Sequence, residues 1–528
     1  MEELQENTFK NLLRDTDRFV VTCEHIPGRV SRDRKLDDIL KFAEKCRDTG
    51  LVHAMSLTDN PGGAPAVSPD TLAGEIERIG IPAIVHFPAK DMNRNMIESR
   101  ALALDRTGVR NLLVMSGDFP TAGQMGLPMP VFDLDPIHIL TLLTLMNRGL
   151  RVNFTDRTLE EGPQTDFFHG AVVSPFKFTE PEMMMQFYKM EMKFRAGARF
   201  FVTQLGFDAK KLRNLRVYLM EKNMAVPVLG SVFILRKSAA AMMYRGEVPG
   251  SFVDDRLFRA VLEESNAEDK GKAASLERAA MQVAVLMGLG FHGAHIEAMV
   301  ITFPMVETIL GRAAELRPNW EECAEKLDFA PSGSFYLGGK GATADSPASR
   351  KLRKGWPVYL LMRLLHDLIF VKDGALSGLM RTVCRILDQV KPLGAVSHLL
   401  ERAVKRALFD CRDCGDCALP ELRFLCPQSQ CPKQERNGPC GGSRLDACEV
   451  YPDRPCVWMR VYVRAKAFGE LETVRNTVIG PRDWKLSDTS ALVNFHLDRD
   501  HAAYDFNALF TAENAAALGE VKRDAERA

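Results

Sequence analysis

Eight short β-rich runs alternate with amphipathic helical stretches over about the first 300 residues, and this alternation limits the fold more than any other feature. The runs are Phe19–Glu24, Val52–Thr58, Pro82–Phe87, Arg110–Met115, Gly170–Ser174, Arg199–Gln204, Ala225–Gly230 and Gly293–Glu297. Between them, stretches such as Leu36–Thr49, Pro69–Ile79, Asn95–Thr107, Glu180–Ala196 and Asp208–Asn223 carry apolar residues three and four apart, the helical period. Strands joined by helix-length crossovers pair in parallel. Eight such units predict an α/β fold, a closed (β/α)8 TIM barrel, with a doubly wound open sheet as the rival.

Barrels of this kind carry their chemistry at the C-terminal ends of the strands. Here those ends hold Glu24, Thr58 followed by Asp59 and Asn60, His86, the Ser116-Gly117-Asp118 loop, and Gln204. Each has a plain alternative: Glu24 or Asp118 as a helix cap, His86 as a satisfied buried histidine, Gln204 as a strand terminus. Polar groups at five separate strand ends together favour one shared site.

At 528 residues the chain exceeds one ordinary core. The expected division is a barrel at 1–330, a Gly-, Ser- and Ala-rich linker at 331–355, a mostly helical, cysteine-rich metal-binding domain at 356–482, and a C-terminal tail at 483–528. Helices are expected near Pro357–Val371, Leu376–Val390 and Ala395–Phe409, and a frayed helix or disordered end at Thr511–Ala528. Lys+Arg and Asp+Glu are equal at 69 each, so net charge gives no argument for nucleic acid. The polar N-terminus lacks a signal-peptide core, and the apolar stretches Val358–Val371 and Met281–Phe291 are too short for a membrane span. A cytoplasmic location follows as the expectation, where disulfides are disfavoured.

That expectation decides how the cysteines read. Eight of the twelve fall within 46 residues: Cys411, Cys414, Cys417, Cys426, Cys431, Cys440, Cys448 and Cys456. In a reducing compartment they read as metal ligands. CxxCxxC at 411–417 is spacing that holds three corners of a [4Fe–4S] cluster, with a fourth cysteine from elsewhere. Two [4Fe–4S] clusters are the favoured reading, one cluster with one zinc comes next, and structural zinc third. Cys23, Cys46, Cys323 and Cys384 have no ligand-spaced partner and read as core, as do Met183–Met185, Met190 and Met192 on a helix.

The ordered segments TCEHIPG, LTDNPGG, HFPAKDMNRN, VMSGDFP with VFDLDP, and FVTQLGFD, within about residues 15–305, resemble the flavin-dependent methylenetetrahydrofolate reductase barrel. The resemblance implies catalytic roles for Glu24, as the acid that opens the folate imidazolidine ring, and for Asp118, which pairs with the pterin near the flavin. It implies Gln204 as a pterin or nicotinamide contact, and Thr58, His86, Met115, Ser116, Gly117, Asp118 and Lys193 as flavin contacts. Two departures stand out. Ser116 replaces an arginine found in NAD(P)H-using members, and Val172–Phe176 (VVSPF) lacks their tyrosine and histidine. FMN is therefore as open as FAD, and electrons come either from NAD(P)H or through the metal domain from ferredoxin or a similar carrier.

CGDC, CPQSQCPK, NGPCGG and CEV, across about Trp356–Arg482, resemble the cysteine-rich C-terminal domain or small subunit that accompanies this barrel in acetogens and related anaerobes. The implied function is reduction of 5,10-methylenetetrahydrofolate to 5-methyltetrahydrofolate. The alternatives are a reductase for another C1-carrying pterin, and a non-catalytic folate-binding adaptor with a structural zinc domain. A homo-oligomer or a complex with redox subunits is compatible with either.

Overall fold

The computed structural model describes residues 7–153, 158–331, 333–338, 356–371, 374, 376–504, 506 and 508–509. The expected linker beyond 338 and the expected frayed end at 511–528 lie outside the described residues.

Among the described residues ten strands form, all before residue 300: β1 (Val20–His25), β2 (Ala54–Leu57), β3 (Ala83–Pro88), β4 (Asn111–Met115), β5 (Leu150–Val152), β6 (Leu159–Glu161), β7 (Phe168–Val173), β8 (Phe201–Thr203), β9 (Val228–Phe233) and β10 (Gly293–Glu297). β5 and β6 make a separate antiparallel hairpin; the other eight close a parallel barrel in which β1 pairs with both β2 and β10. Closure at β1 excludes the open sheet. β9 begins three residues later than the sequence pattern suggests because Pro227, which has no N–H, can only accept at the strand's edge, from Phe201 N at 2.8 Å.

The parallel pleat sends alternate side chains inward, in layers. The lowest layer is apolar, with Val20, Ala54, Ile84, Leu113, Phe168, Val202 and Leu229 in one buried cluster. Phe9 and Leu13 of the N-terminal helix Thr8–Arg14 plug it from below, Phe9 meeting Phe168 and Phe200 edge-on. Two residues further along, five of the eight strands turn polar side chains inward: Thr22, Ser56, His86, Ser231 and His295, all buried. Cys23, Cys46, Cys323 and Cys384 are buried as free thiols, and the methionines of the helix Glu180–Arg195 are packed, as their spacing indicates.

Helices Trp356–Ile369, Ser377–Gln389 and Lys391–Phe409 precede the cysteine-rich segment, which has little regular structure until the helix Val457–Ala467. That last helix packs Trp458, Val461 and Tyr462 with Met185 and Tyr188 of the barrel's 180–195 helix. The rest of the junction reuses helix caps. Asp135 caps the helix Pro136–Asn147, and its other oxygen accepts from Arg436 N at 3.2 Å and Asn437 Nδ2 at 2.9 Å. Glu182 closes the capping box of the 180–195 helix with Thr179 and also accepts from Asp446 N at 3.1 Å. Residues 483–504, read from sequence as the start of a tail, are packed: Asn494 Nδ2 donates to Gly415 O at 2.8 Å, and His501 bonds Asp416.

At the centre of this junction Lys189 Nζ meets Glu435 Oε2 at 2.6 Å, with both side chains at most 2% exposed. Removing one partner leaves a buried uncompensated charge. Lys189→Met is expected to cost about 3–5 kcal/mol, read as a lowered urea midpoint from the fluorescence of Trp458, whose indole N–H donates to Glu435 O.

Candidate active site and cysteine centres

Glu24 sits on the inward face near the C-terminal end of β1, two residues above Thr22. Its Oε2 lies 3.6 Å from Nε2 of His86 on β3 and 3.6 Å from Nε2 of His295 on β10. His295 Nε2 is also 3.9 Å from Glu297 Oε1, so one ring nitrogen faces two carboxyls. Behind the imidazoles, Thr22 Oγ1 lies 2.7 Å from His295 Nδ1 and Ser56 Oγ lies 2.9 Å from His86 Nε2. These contacts follow from register, which sets Thr22 beside His295 and Glu24 beside Ser56.

Burial decides the charge states. Removal from water lowers His86 to about 3 and lowers His295, so both rings are neutral. The same burial raises Glu24 to about 7, with Asp118's negative charge adding to it, and raises Glu297 to about 7, with Glu24 adding to it. A carboxyl in this position keeps a proton near neutral pH and can give it up, as a general acid must.

The β4 loop forms the adjoining wall. Gly117 has φ +81°, and a Cβ there would lie 2.8 Å from Pro88 Cβ, so the loop needs glycine on two counts. The turn aims Asp118 across the mouth, where its Oδ2 accepts from Gly62 N at 2.7 Å. Thr58 Oγ1 and Ser174 Oγ, at the ends of β2 and β7, are buried without a hydrogen-bond partner. Unpaired hydroxyls at two strand ends fit a polar ligand seated over the barrel. Lys193 is placed differently: its amine donates to Val172 O at 2.6 Å, and burial lowers it to about 7 beside Lys189. Gln204 Oε1 accepts from Leu205 N at 3.0 Å, and its amide edge lies beside Gly250 and the backbone of Gly441.

The thiols fall into two sets of four. Cys426 is a charge neighbour of Cys411, Cys414 and Cys417, and so stands with the CxxCxxC run. Cys431, Cys440, Cys448 and Cys456 line a second cavity together with Lys433 and Glu449. Burial, reinforced by the neighbouring sulfurs, pushes Cys431 and Cys456 well up. Such thiols ionise when a cation binds them. Among the described residues no three sulfurs of either set come within 4.8 Å of one another.

The second set adjoins the barrel mouth. Lys433 pairs with Glu449 inside that cavity and donates to Gly117 O at 2.7 Å, so one side chain touches the thiol cavity and the β4 loop. Glu449 Oε1 also accepts from the Cys440 thiol at 3.6 Å. Lys177 reaches over from the β7 side to Gly441 O and, at 2.8 Å, Ser443 O.

Glu24, His86, Asp118, Thr58 and Gln204 are thus brought to one mouth, while Lys193 lies beneath the cysteine segment. His295, Glu297, Lys177 and Lys433 escaped the sequence reading. The first two carried a visible signal, the alternating H-x-E of GAHIE, but the run read only as a strand. Asp416, Asp500 and His501 form a second cluster of potential ligands; Arg436 enters it, 3.3 Å from Asp416, so it is an ion cluster closed by a guanidinium.

Profiles of known families match two segments: one described as Methylenetetrahydrofolate reductase over residues 8–309, and one described as Methylene-tetrahydrofolate reductase C terminal over 392–485. No curated protein matches. A solved structure titled "Uncharacterized protein from Clostridium thermocellum binds two copies of 5-methyl-5,6,7,8-tetrahydrofolic acid" is similar at 13% identity and TM-score 0.39, covering 59% of this chain and 100% of that one. That likeness is too distant to bear on function.

Gly117→Ala is expected to cost about 1–3 kcal/mol, from the left-handed backbone and the overlap with Pro88, measured as a fall in unfolding temperature by calorimetry.

Proposed function

From the methylenetetrahydrofolate reductase family, to which this chain belongs, we propose reduction of 5,10-methylenetetrahydrofolate to 5-methyltetrahydrofolate, with electrons delivered through the cysteine-rich segment. One observation carries the reading: a carboxyl raised to about 7 between two neutral imidazoles at the barrel mouth.

The substrate's bridging carbon sits in a cyclic aminal and accepts hydride only after the ring opens. Glu24 gives its proton to an imidazolidine nitrogen. The carbon–nitrogen bond breaks and leaves an iminium. A reduced flavin held at the mouth would supply the hydride that completes the methyl group. Neutral His86 and His295 leave Glu24 without a cation that would strip its proton, and Glu297 adds a further carboxyl to hold or return one. Asp118 offers the amino-pyrimidinone edge of the pterin a carboxylate able to accept two hydrogen bonds. Gln204 is the amide across from it, and Thr58, His86 and the Met115–Asp118 loop would hold the flavin. Lys193 contributes from below by fixing Val172 on β7.

Cys411, Cys414, Cys417 and Cys426 would hold one [4Fe–4S] cluster, and Cys431, Cys440, Cys448 and Cys456 would hold the second. Such clusters carry single electrons at potentials set by burial and nearby charge. The second set is the one beside the flavin site, since Lys433 joins its cavity to the β4 loop. A carrier protein such as ferredoxin is the favoured donor over direct NAD(P)H, because Ser116 and Val172–Phe176 lack the side chains of the nicotinamide-using members.

Glu24→Gln is expected to lower dye-linked oxidation of 5-methyltetrahydrofolate by at least about 100-fold; full turnover in that variant ends the acid assignment. A proton donor raised to about 7 is charged above that pH. The reductive rate is therefore expected to fall as pH rises through about 7, and the Gln variant should lose this limb. Anaerobically prepared protein should hold about eight iron atoms per chain with matching sulfide. Cys414→Ala should remove about half of the iron and stop carrier-driven reduction while sparing the dye-linked reaction. Stoichiometric zinc without iron would end the relay through the cysteine-rich segment and leave direct NAD(P)H reduction or the adaptor reading.

A further inference from the structure

Three consecutive helices present their apolar sides outward. Eighteen of the 33 large apolar residues that are exposed among the described residues lie between Val358 and Leu408, at 36–65% exposure. The clearest case is the helix Lys391–Phe409. Leu393, Val396, Leu400 and Val404, at three- and four-residue spacing, are 49–63% exposed. The opposite face is turned to the protein and is polar. His398 Nε2 meets Asp413 Oδ1 at 3.0 Å, Glu401 accepts from Ser490 Oγ at 2.6 Å, and Lys405 pairs with Glu401 at 2.5 Å.

An amphipathic helix ordinarily does the reverse. The neighbouring helices repeat the arrangement. On Ser377–Gln389, Cys384 is buried while Leu379, Val383 and Ile386 face out. On Trp356–Ile369, Tyr359 is buried while Leu361, Leu365 and Leu368 face out.

The exposed apolar side chains of the three helices sum to on the order of 1,500 Å², where a single patch on a typical monomer reaches roughly 300–600 Å². A stable interface needs about 800 Å² from each partner. The stretches 1–6, 154–157, 339–355 and 510–528 hold only Met1, Leu4, Phe154, Leu352, Phe510, Leu518 and Val521 as large apolar residues, few beside the eighteen exposed on the three helices. A carrier that comes and goes fits poorly, because transient electron-transfer contacts are small. A partner present in equal amount whenever the chain is made, as a second copy is, matches an area of this size.

We propose that a second copy of this chain covers these helices, stripe against stripe, as a two-fold helical bundle formed by residues 356–409. Each stripe is free of charge along its length, so it is compatible with its own image. Isologous pairing also closes, leaving no apolar edge for further growth.

The test is sedimentation of the full-length, cofactor-loaded protein. A dimer that persists on dilution to low micromolar concentration is expected, and Ile386→Glu combined with Leu400→Glu should shift it to monomer with iron and flavin content unchanged. Both residues face solvent in the single chain, so the variant should fold if they only serve the interface. A wild-type monomer overturns the proposal, whether or not it floats with anionic vesicles or holds an acidic redox protein. So does a dimer that survives both substitutions. If the double variant fails to accumulate, hydrogen exchange on the wild type decides. Protection of 391–409 that weakens on hundredfold dilution supports the interface, and protection independent of concentration overturns it.

Discussion

Because a strand in a closed parallel barrel turns only every second side chain inward, residues far apart in the chain share one confined column, and the site grows out of that confinement. Val20, Thr22 and Glu24 climb the inside of β1, and the same step is taken by Ala54 and Ser56, by Ile84 and His86, and by His295 and Glu297. The lower layer is apolar and sealed by Phe9. Above it, polar groups are held away from water yet within reach of one another. That combination makes the imidazoles neutral and the carboxyls weak acids, the charge states that proton delivery to a cyclic aminal requires.

The cysteine-rich segment is attached through groups that the barrel already uses for itself. Asp135 and Glu182 each cap a helix beginning near the mouth, and each spends its remaining capacity on backbone N–H groups of the cysteine segment. Lys433 and Lys177 add cationic tethers to backbone carbonyls on the two sides of that opening. For the function proposed above, rigid attachment would keep the thiol cavity at a fixed separation from the barrel mouth. The buried Lys189–Glu435 pair and its surrounding hydrogen bonds fix the register of the two parts.

Much of this was legible beforehand, and the exceptions have physical causes. The barrel showed in its alternation, and Glu24, His86, Asp118 and Gln204 showed as polar residues where strands end. His295 and Glu297 lie at a strand end too, but a strand reading alone does not say that β10 closes back beside β1. Lys193 read as a flavin contact; the structure turns its amine to Val172 O. The inverted helix Lys391–Phe409 has an ordinary apolar period, which announces a helix and is silent on which side faces the protein.

What the linear order of residues determined by itself is periodic or local: eight β–α units, glycine in the β4 turn, a CxxCxxC run, and the residue types at strand termini. Only tertiary structure decided partnership and charge. It chose Cys426 to join the CxxCxxC run and left Cys431, Cys440, Cys448 and Cys456 as the set at the barrel mouth. It likewise made Glu24 an acid near neutrality. Both outcomes depend on through-space distance and on exclusion of water, quantities that arise only after strands distant in the chain have closed on one another.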